Sequence, residues 1–348
     1  MKLTTKLRKG IGSRSRLRSA AQSTGQTWAL VLAGGEGSRL RQLTTVAGAS
    51  VPKQFCSLVD GRTLLEDAID RAHGVTTPER TCTIVSNHHR QWWSSLLSRQ
   101  PSENVIVQPR GRGTGIGILY SALHIAARDP FARVVILPAD HHVRAEGVLR
   151  KAMLDALASA DAGAESPVLL GLSPDRIDTE LGYILTKNDA VHATQRVARF
   201  LEKPDRDMAR ESIAGGALWN TCIIVTPIRS LVRLYMQRYA VVMLEMQAIV
   251  TAALNDASSA GWEAISRMYE RLPSIDFSKD ILQQQPEALR VLPVTECGWN
   301  DLGTPSRLGE TLRLMPSQQQ IGARTAPFVN LAIQHALYER HQATVHPN

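Results

Sequence analysis

Leu32-Ala33-Gly34-Gly35-Glu36-Gly37-Ser38-Arg39-Leu40 is the stretch from which the rest of the chain is read. The apolar run Trp28 to Leu32 leads into it and predicts a short buried strand. Three glycines then arrive within four residues, followed by an arginine. Glycine lets backbone N–H groups approach a ligand closely. Such groups at a strand end make an anion cradle suited to phosphate. Arg39 adds a planar cationic fork for phosphate oxygens. Pro52-Lys53-Gln54, thirteen residues further on, brings a second cation towards the same strand end. The bland alternative for the glycines alone is a plain strand-to-helix turn.

Two other phosphate loops are excluded. A Walker loop ends in Gly-Lys-Ser/Thr, whereas this one reads Gly37-Ser38-Arg39. The dinucleotide fingerprint needs a third glycine at a spacing that is absent here.

Outward from the loop, strand-like and helix-like stretches alternate. Helical spacing covers Leu64 to Ala72, Gln91 to Leu97, Gly115 to Ala127, Val148 to Ala160 and Ile228 to Leu254, the last as one or two helices. Strands are expected at Cys82–Val85, Asn104–Gln108, Arg133–Leu137, Val168–Leu172, from about Val197, at Cys222–Val225 and at Leu289–Val294. A helix over 305–315 follows. This alternation predicts an α/β fold, a doubly wound, mostly parallel sheet with flanking helices. Ligands in such folds sit beyond the carboxyl ends of the strands, where each polar motif of this chain falls.

Composition narrows the function classes. The 348 residues are 43% hydrophobic and 21% charged, ordinary for a soluble globular protein of one large or two smaller domains. No apolar run approaches the roughly 20 residues of a membrane span. The net charge of +8 suggests nucleic acid, but seven cations (Lys2, Lys6, Lys9, Arg8, Arg14, Arg16 and Arg18) lie in residues 1–27 without an acid, leaving +1 for the remainder. A nucleic-acid-binding body is therefore not expected. The tail is no secretory signal. A transit peptide matches its composition, and a disordered start is the plainer reading. Cys56, Cys82, Cys222 and Cys297 form no Cys-x-x-Cys pair, which argues against zinc or a disulfide framework and suits a reducing cytoplasm.

Five later motifs bear on chemistry. Gln108-Pro109-Arg110-Gly111-Arg112-Gly113-Thr114-Gly115 is a polar glycine-rich loop entering a helix, suited to holding a base. Leu137-Pro138-Ala139-Asp140-His141-His142 puts an aspartate directly after a buried strand, where a magnesium ion bound to phosphates takes a carboxylate. A helix cap is the alternative role for Asp140, and no further residues complete a transition-metal set around the two histidines. Phe200-Leu201-Glu202-Lys203-Pro204 offers an acceptor for hydroxyls and a cation for a phosphate. Gly216-Ala217-Leu218-Trp219-Asn220 precedes an apolar strand, with Trp219 read as packing. Gly298-Trp299-Asn300-Asp301-Leu302-Gly303 places another carboxylate after a strand.

Leu32-Ala33-Gly34-Gly35-x-Gly37-x-Arg39-Leu40, followed by Pro52-Lys53-Gln54-Phe55, resembles the sugar-1-phosphate nucleotidyltransferases, most of all the mannose-1-phosphate guanylyltransferases among them. The later motifs occur in that family's order over about residues 28–305. The resemblance implies that Leu32, Gly34, Gly35, Gly37, Ser38, Arg39, Lys53, Arg112, Gly113 and Thr114 bind the nucleotide. It implies sugar-phosphate contacts from Gly182, Glu202, Lys203 and Asn220. It makes Asp140 and Asp301 the magnesium ligands, and Arg39, Lys53 and Asp140 the catalytic residues. The substrates implied are GTP and mannose 1-phosphate, with no nucleic acid or membrane partner, a cytoplasmic setting, and a homodimer allowed. A different nucleotide and sugar-1-phosphate pair, or a non-catalytic regulatory relative, are the alternatives.

The chain departs from the pattern at Gln108, where the family carries glutamate, at Gly113 for asparagine, at Gly115-Ile116 for Ala-Pro, at Leu181 for a smaller residue, and at Thr221-Cys222 for Ser-Gly. Asp276 in Ser274-Ile275-Asp276-Phe277 is read either as family motif or as helix cap. The expected organisation is a basic tail over 1–27, a nucleotidyltransferase domain over 28–315, and an extension over 316–348 with a helix near Ala326 to Tyr338. The extension is too short for the barrel that bifunctional relatives append.

Overall fold

The computed structural model describes residues 27–315, except 47–48, 60, 162–164, 188–192 and 256–258, together with 330–331, 334–335 and 338. The basic tail lies outside the described residues. So does most of the predicted C-terminal helix, of which Leu331, Gln334, His335 and Tyr338 are helical.

The apolar run before the glycine loop is a strand, β1 (Thr27–Ala33). The strands that follow in the same sheet are β2 (Thr81–Ser86), β3 (Val105–Gln108), β4 (Arg133–Pro138), β5 (Val168–Leu172), β6 (Tyr183–Thr186), β7 (Gln195–Leu201), β8 (Leu218–Pro227) and β9 (Arg290–Val294). Their spatial order is β3-β2-β1-β4-β8-β5-β9-β7-β6. β1 pairs in parallel with β2 and β4, and β2 with β3. In register, Leu30 lies opposite Cys82 on one side and Ile136 on the other. β9 is parallel to β5.

The parallel pattern breaks in the second half of the sheet. β8 runs antiparallel to β4 and β5, and β7 antiparallel to β9 and β6. β6 and β7 are joined by a short connection, which permits antiparallel pairing without a crossover helix.

Among the described residues, the longer helices flanking the sheet are α1 (Leu64–His73), α2 (Gly113–Arg128), α3 (Glu146–Asp161), α4 (Arg206–Ala214), α5 (Ile228–Asn255), α6 (Ser259–Arg271) and α7 (Pro305–Leu314). α1 opens on a capping box, in which Thr63 accepts from the Glu66 amide and Glu66 accepts from Thr63. α7 has Thr304 as its N-cap and a proline in its first turn. α5 bends at Tyr239, whose φ of −138° and ψ of 47° interrupt the helix.

Alternating side chains of β1 enter two cores. Trp28 and Leu30 pack with Ile116 and Leu119 of α2, Met246 of α5 and Met268 of α6. Ala29 and Val31 pack on the other face with Leu65 and Ala68 of α1, Met153 of α3 and Leu308 of α7. Helices thus cover both faces, which explains why β1 reads as a continuous apolar run. Truncating the fully buried Leu30 to alanine is expected to cost about 2–5 kcal/mol.

Three local expectations change. Only Arg90–Trp93 of the Gln91–Leu97 stretch is an α-helix. There Trp93 turns back and donates from Nε1 to the Ser86 carbonyl at the end of β2 (2.8 Å). α4 and α6 also arise where no helix was expected.

Candidate active site

The glycine loop leaves β1 at the carboxyl end of the parallel strands. Gly37 has φ of +61°, and a Cβ there would lie 2.8 Å from the Lys53 amide nitrogen. A side chain would therefore force the loop away from the Lys53 segment. Gln54 splints the loop from below, donating from Nε2 to the carbonyls of Ala33 (2.9 Å) and Gly35 (2.8 Å).

Leu32, Gly34, Gly35 and Gly37 line a cavity of about 360 Å³. Gln108, Gly111, Gly113 and Thr114 enter it from the base loop, Asp140 and His141 from the segment after β4, and Cys222 from within β8. Ser38 opens the single turn Ser38–Leu40 beside it.

Arg112 does not line this cavity. Its guanidinium donates to the carbonyls of Tyr269 (2.7 Å) and Glu270 (2.8 Å) at the end of α6. The neighbouring glycines explain the departures in the base loop. Gly113 has φ of +80°, and a Cβ there would meet the Ile275 carbonyl oxygen at 2.2 Å. A Cβ on Gly115 would meet Ile275 Cγ2 at 2.6 Å. The segment around Ile275 lies directly on the start of α2. Three hydrogen bonds secure it: Gly115 N–H to Ile275 O (2.8 Å), Ile275 N–H to Arg112 O (3.0 Å), and Phe277 N–H to Thr114 Oγ1 (3.0 Å). Asp276 accepts from the Lys279 amide, so the capping role is realised.

Lys53 is buried beside Asp140, which lines the cavity. Its Nζ pairs with Asp140 Oδ2 (2.9 Å) and donates to the carbonyls of Asp301 (2.5 Å) and Leu302 (3.4 Å). All three ammonium hydrogens therefore have acceptors, as a buried cation requires.

Asp140 directly follows β4, whereas α3 starts only at Glu146, so Asp140 does not cap that helix. Burial pushes its carboxyl up, but Lys53, His141 and Arg39 together hold it below the usual carboxylate range. Asp140 is therefore ionised at neutral pH. His141 Nε2 lies 3.7 Å from Asp140 Oδ1, and Trp299 Nε1 donates to His141 Nδ1 (3.2 Å). Burial pushes the imidazole down to about 4, leaving it neutral. The Trp299 bond assigns the ring hydrogen to Nε2, on the Asp140 side. Among the described residues no group of three or more His, Cys, Asp or Glu is arranged to hold a metal.

Asp301 is buried, and both its oxygens are engaged. Oδ1 accepts from the Gly303 amide (3.0 Å) and pairs with Arg307, while Oδ2 lies 3.4 Å from Arg39. Arg307 also pairs with Asp178 and so ties two loops together. Burial pushes Arg307 down to about 10, still cationic at neutral pH. Glu180 stands between two further cations, 3.5 Å from Arg39 and 4.0 Å from Lys203.

Gly182, Glu202 and Asn220 form a second cluster beside the cavity. The Asn220 amide donates to Gly182 O (2.8 Å), and a Cβ on Gly182 would lie 2.9 Å from Glu202 Oε2. The Glu202 amide donates to Gln283 Oε1 (2.7 Å). Burial and the nearby Asp276 push the Glu202 carboxyl up to about 7, against the pull of Lys203 and Arg39. Lys203, which follows, has φ of +47°.

Cys222 takes the position of the family's glycine with φ of +59°, inside a register shift of β8 between Asn220 and Ile224. Asn220 Nδ2 lies 3.5 Å from its Sγ, which links the second cluster to the cavity. Trp219 is 7% exposed and packs with Leu181 and Tyr183, so it is packing as read.

The structure thus brings the predicted residues together, with Arg112 turned away. It adds Gln54, Gln108, His141, Asp178, Glu180, Cys222 and Arg307. Gln54 and Gln108 sat inside quoted motifs. Arg307 carried no local signal, because one of its partners, Asp178, is distant in sequence and the turn that brings Asp301 back to it is not legible there.

A family profile described as Nucleotidyl transferase matches residues 28–317. Mannose-1-phosphate guanylyltransferase from Klebsiella pneumoniae is 29% identical over 288 residues, covering 81% of this chain and 59% of that protein. Mannose-1-phosphate guanylyltransferase ManC from Salmonella typhimurium is 32% identical over 302 residues, covering 81% and 58%. The alginate biosynthesis protein AlgA from Pseudomonas aeruginosa is 28% identical over 286 residues, covering 80% and 57%. The chain therefore spans about three-fifths of the length of the curated relatives it matches.

Among solved structures, one described as mannose-1-phosphate geranyltransferase from Thermus thermophilus superimposes with a TM-score of 0.70 at 28% identity, covering 84% of this chain and 81% of that one. One described as mannose-6-phosphate isomerase from Helicobacter pylori has a TM-score of 0.60 at 19% identity, covering 79% and 99%, and is a likeness of fold. With a profile match spanning nearly all of the described body, the chain belongs to the nucleotidyl transferase family.

Proposed function

We propose that the protein transfers a guanylyl group from GTP to mannose 1-phosphate, giving GDP-mannose and pyrophosphate. The observation that carries this reading is the cavity shared by the glycine loop, the base loop and Asp140, with Lys53 paired to Asp140. On this reading the site lies beyond the carboxyl ends of a doubly wound, mostly parallel sheet.

The sugar-phosphate oxygen attacks the α-phosphorus. A new P–O bond forms, the α–β bridging bond breaks, and pyrophosphate carries away the electron pair. No covalent enzyme intermediate is required. Catalysis then consists of placing two anionic reactants together and offsetting the charge that builds on their oxygens.

The amides of Gly34, Gly35 and Gly37 cradle the triphosphate, and Arg39 and Lys53 offset its charge. The Gly113 and Thr114 backbone holds the base. Arg112 supports that loop from behind through Tyr269 and Glu270. Lys203 takes the sugar phosphate, while Gly182, Glu202 and Asn220 place the ring.

The all-oxygen donors fit magnesium. Asp140 is ionised and lines the cavity, and one or two carboxylates plus phosphates suffice for this ion. Asp140 and Asp301 would hold it, Asp301 once Arg39 turns to the phosphates. The ion supplies charge neutralisation at the reacting phosphates. We place the enzyme in the cytoplasm. Among the described residues no helix is long and apolar enough to cross a membrane.

The test is pyrophosphate release with magnesium, crossing four nucleoside triphosphates with mannose-, glucose- and other sugar-1-phosphates. Turnover with GTP and mannose 1-phosphate, lost in Asp140→Ala, supports the reading. Turnover with another pair replaces the substrates. Binding of a sugar nucleotide without turnover would identify a regulatory relative.

A further inference from the structure

Asn330, Leu331 and His335 touch the loop that follows Lys53 and the start of α7, into which the Asp301 loop runs. The first loop carries Lys53. Its chain runs through the short turn Lys53–Phe55 to Ser57, which forms a parallel bridge with Asn330. The Leu331 amide donates to Ser57 O (2.8 Å), and Asn330 Nδ2 donates to Val59 O (3.3 Å). The Leu331 side chain is fully buried in the core that holds Phe55, Cys56, Leu302 and Leu308. The second loop carries Asp301 and runs into α7. His335 Nε2 lies 2.9 Å from the Pro305 carbonyl, and its ring covers Gly309, where a Cβ would approach it at 2.7 Å.

These same two loops meet inside the site, where Lys53 Nζ reaches the Asp301 and Leu302 carbonyls. Between the two contacts the chain is short: Ser57 is the fourth residue after Lys53, and Pro305 the fourth after Asp301. The Lys53 ammonium is held by two carbonyls of the Asp301 loop and by the Asp140 carboxylate after β4, so its position depends on the spacing of the two loops as well as on Asp140. Misplacement by about 1 Å at a reacting centre costs roughly 10²-fold in rate.

We propose that Asn330, Leu331 and His335 are positioning residues. They form a clasp that fixes the Lys53 loop against the Asp301 loop and so sets where Lys53 meets the reacting phosphates. None of the three lines the cavity that the glycine loop and base loop share, so they act on the site only through the Lys53 loop and touch no substrate themselves. The proposal rests on the nucleotidyl-transfer reading of the site.

The experiment uses the full chain with Leu331→Ala, and separately Asn330→Ala with His335→Ala. Four quantities are read: pyrophosphate release, GTP affinity by calorimetry, melting temperature, and hydrogen exchange of the Lys53–Ser57 amides. The clasp predicts a fall in kcat of at least about tenfold. It also predicts a GTP dissociation constant within about threefold of wild type and faster exchange in Lys53–Ser57. His335→Gln, which retains a side-chain donor, restores most of the rate. Unchanged kcat despite faster exchange overturns the proposal. So does a parallel loss of kcat, GTP affinity and melting temperature, which marks a purely structural role. If wild type itself shows no transfer with any substrate pair, the functional reading fails. The exchange measurement then still decides whether the clasp holds the Lys53 loop.

Discussion

Lys53 Nζ and Asp140 Oδ2 lie 2.9 Å apart, a buried cation against a carboxylate that faces the cavity. The pair joins the segment after the glycine loop to the end of β4. Removing either partner strands the other. Asp140→Ala leaves the ammonium with only carbonyl acceptors, and Lys53→Met leaves a carboxylate without its closest cation. Each substitution is expected to lower the rate of pyrophosphate release by at least about 10²-fold. Asp140→Ala is also expected to lower the melting temperature, measured by calorimetry. An Asp140→Ala enzyme with near-normal turnover would remove this pair from the mechanism.

Arg307 is buried between Asp301 and Asp178. Arg307→Met keeps the volume but leaves two carboxylates facing each other without their shared cation. Breaking a buried pair in this way costs about 3–5 kcal/mol. Urea unfolding should show that loss at pH 7, and a smaller one at acidic pH where the carboxylates take up protons. Equal stability of wild type and variant at neutral pH would contradict the assignment.

Glu202 is pushed up to about 7, chiefly by burial. Its carboxyl accepts hydroxyl hydrogen bonds more strongly, and through both oxygens, when ionised, so the KM for the sugar phosphate should rise as pH falls from about 8 to 6. Glu202→Gln should flatten that profile. The sign for stability is opposite. A carboxyl whose folded pKa is raised contributes stability below its unfolded value of about 4.5, and loses it as pH rises through about 7. Glu202→Gln is therefore expected to gain stability relative to wild type at pH 8, read by melting temperature.

Gly113 combines a φ of +80° with a Cβ position 2.2 Å from the Ile275 carbonyl. Gly113→Asn, which restores the family residue, should therefore weaken GTP binding and lower the melting temperature. Asparagine tolerates the left-handed region, so the clash with Ile275 is the cause. Calorimetric titration with GTP checks this. Equal affinity would mean that the Ile275 segment moves aside at little cost.

The four thiols provide a check on burial. Burial pushes Cys56 up to about 12 and Cys82 and Cys297 up to about 11, and raises Cys222 as well. Iodoacetamide at pH 8 should leave Cys56, Cys82 and Cys297 unmodified in the native protein and label all four in urea, as read by mass spectrometry.

Sequence alone determined the local pieces of this protein. The apolar run before Gly34 had to be a strand, because nothing else buries Trp28 to Leu32 on both faces while delivering three glycines at its end. The positions of Lys53, Asp140, Glu202 and Asp301 were legible because each follows a strand or sits in a short motif with its own chemistry. Where a residue's meaning depended on distant neighbours, the sequence was silent. Arg112 looked like a ligand group until the Tyr269 and Glu270 carbonyls claimed its guanidinium. Arg307 drew no reading from the sequence, yet Asp178 and Asp301 close around it. The glycines at 113 and 115 read as departures from a pattern, and only the approach of Ile275 shows that they answer a steric demand. Antiparallel β8 and β7 likewise depend on which edge each strand finds. Backbone propensity and hydrophobic period act over a few residues and leave a local trace. Charge pairing, steric exclusion and strand partnership act across the folded chain and leave none.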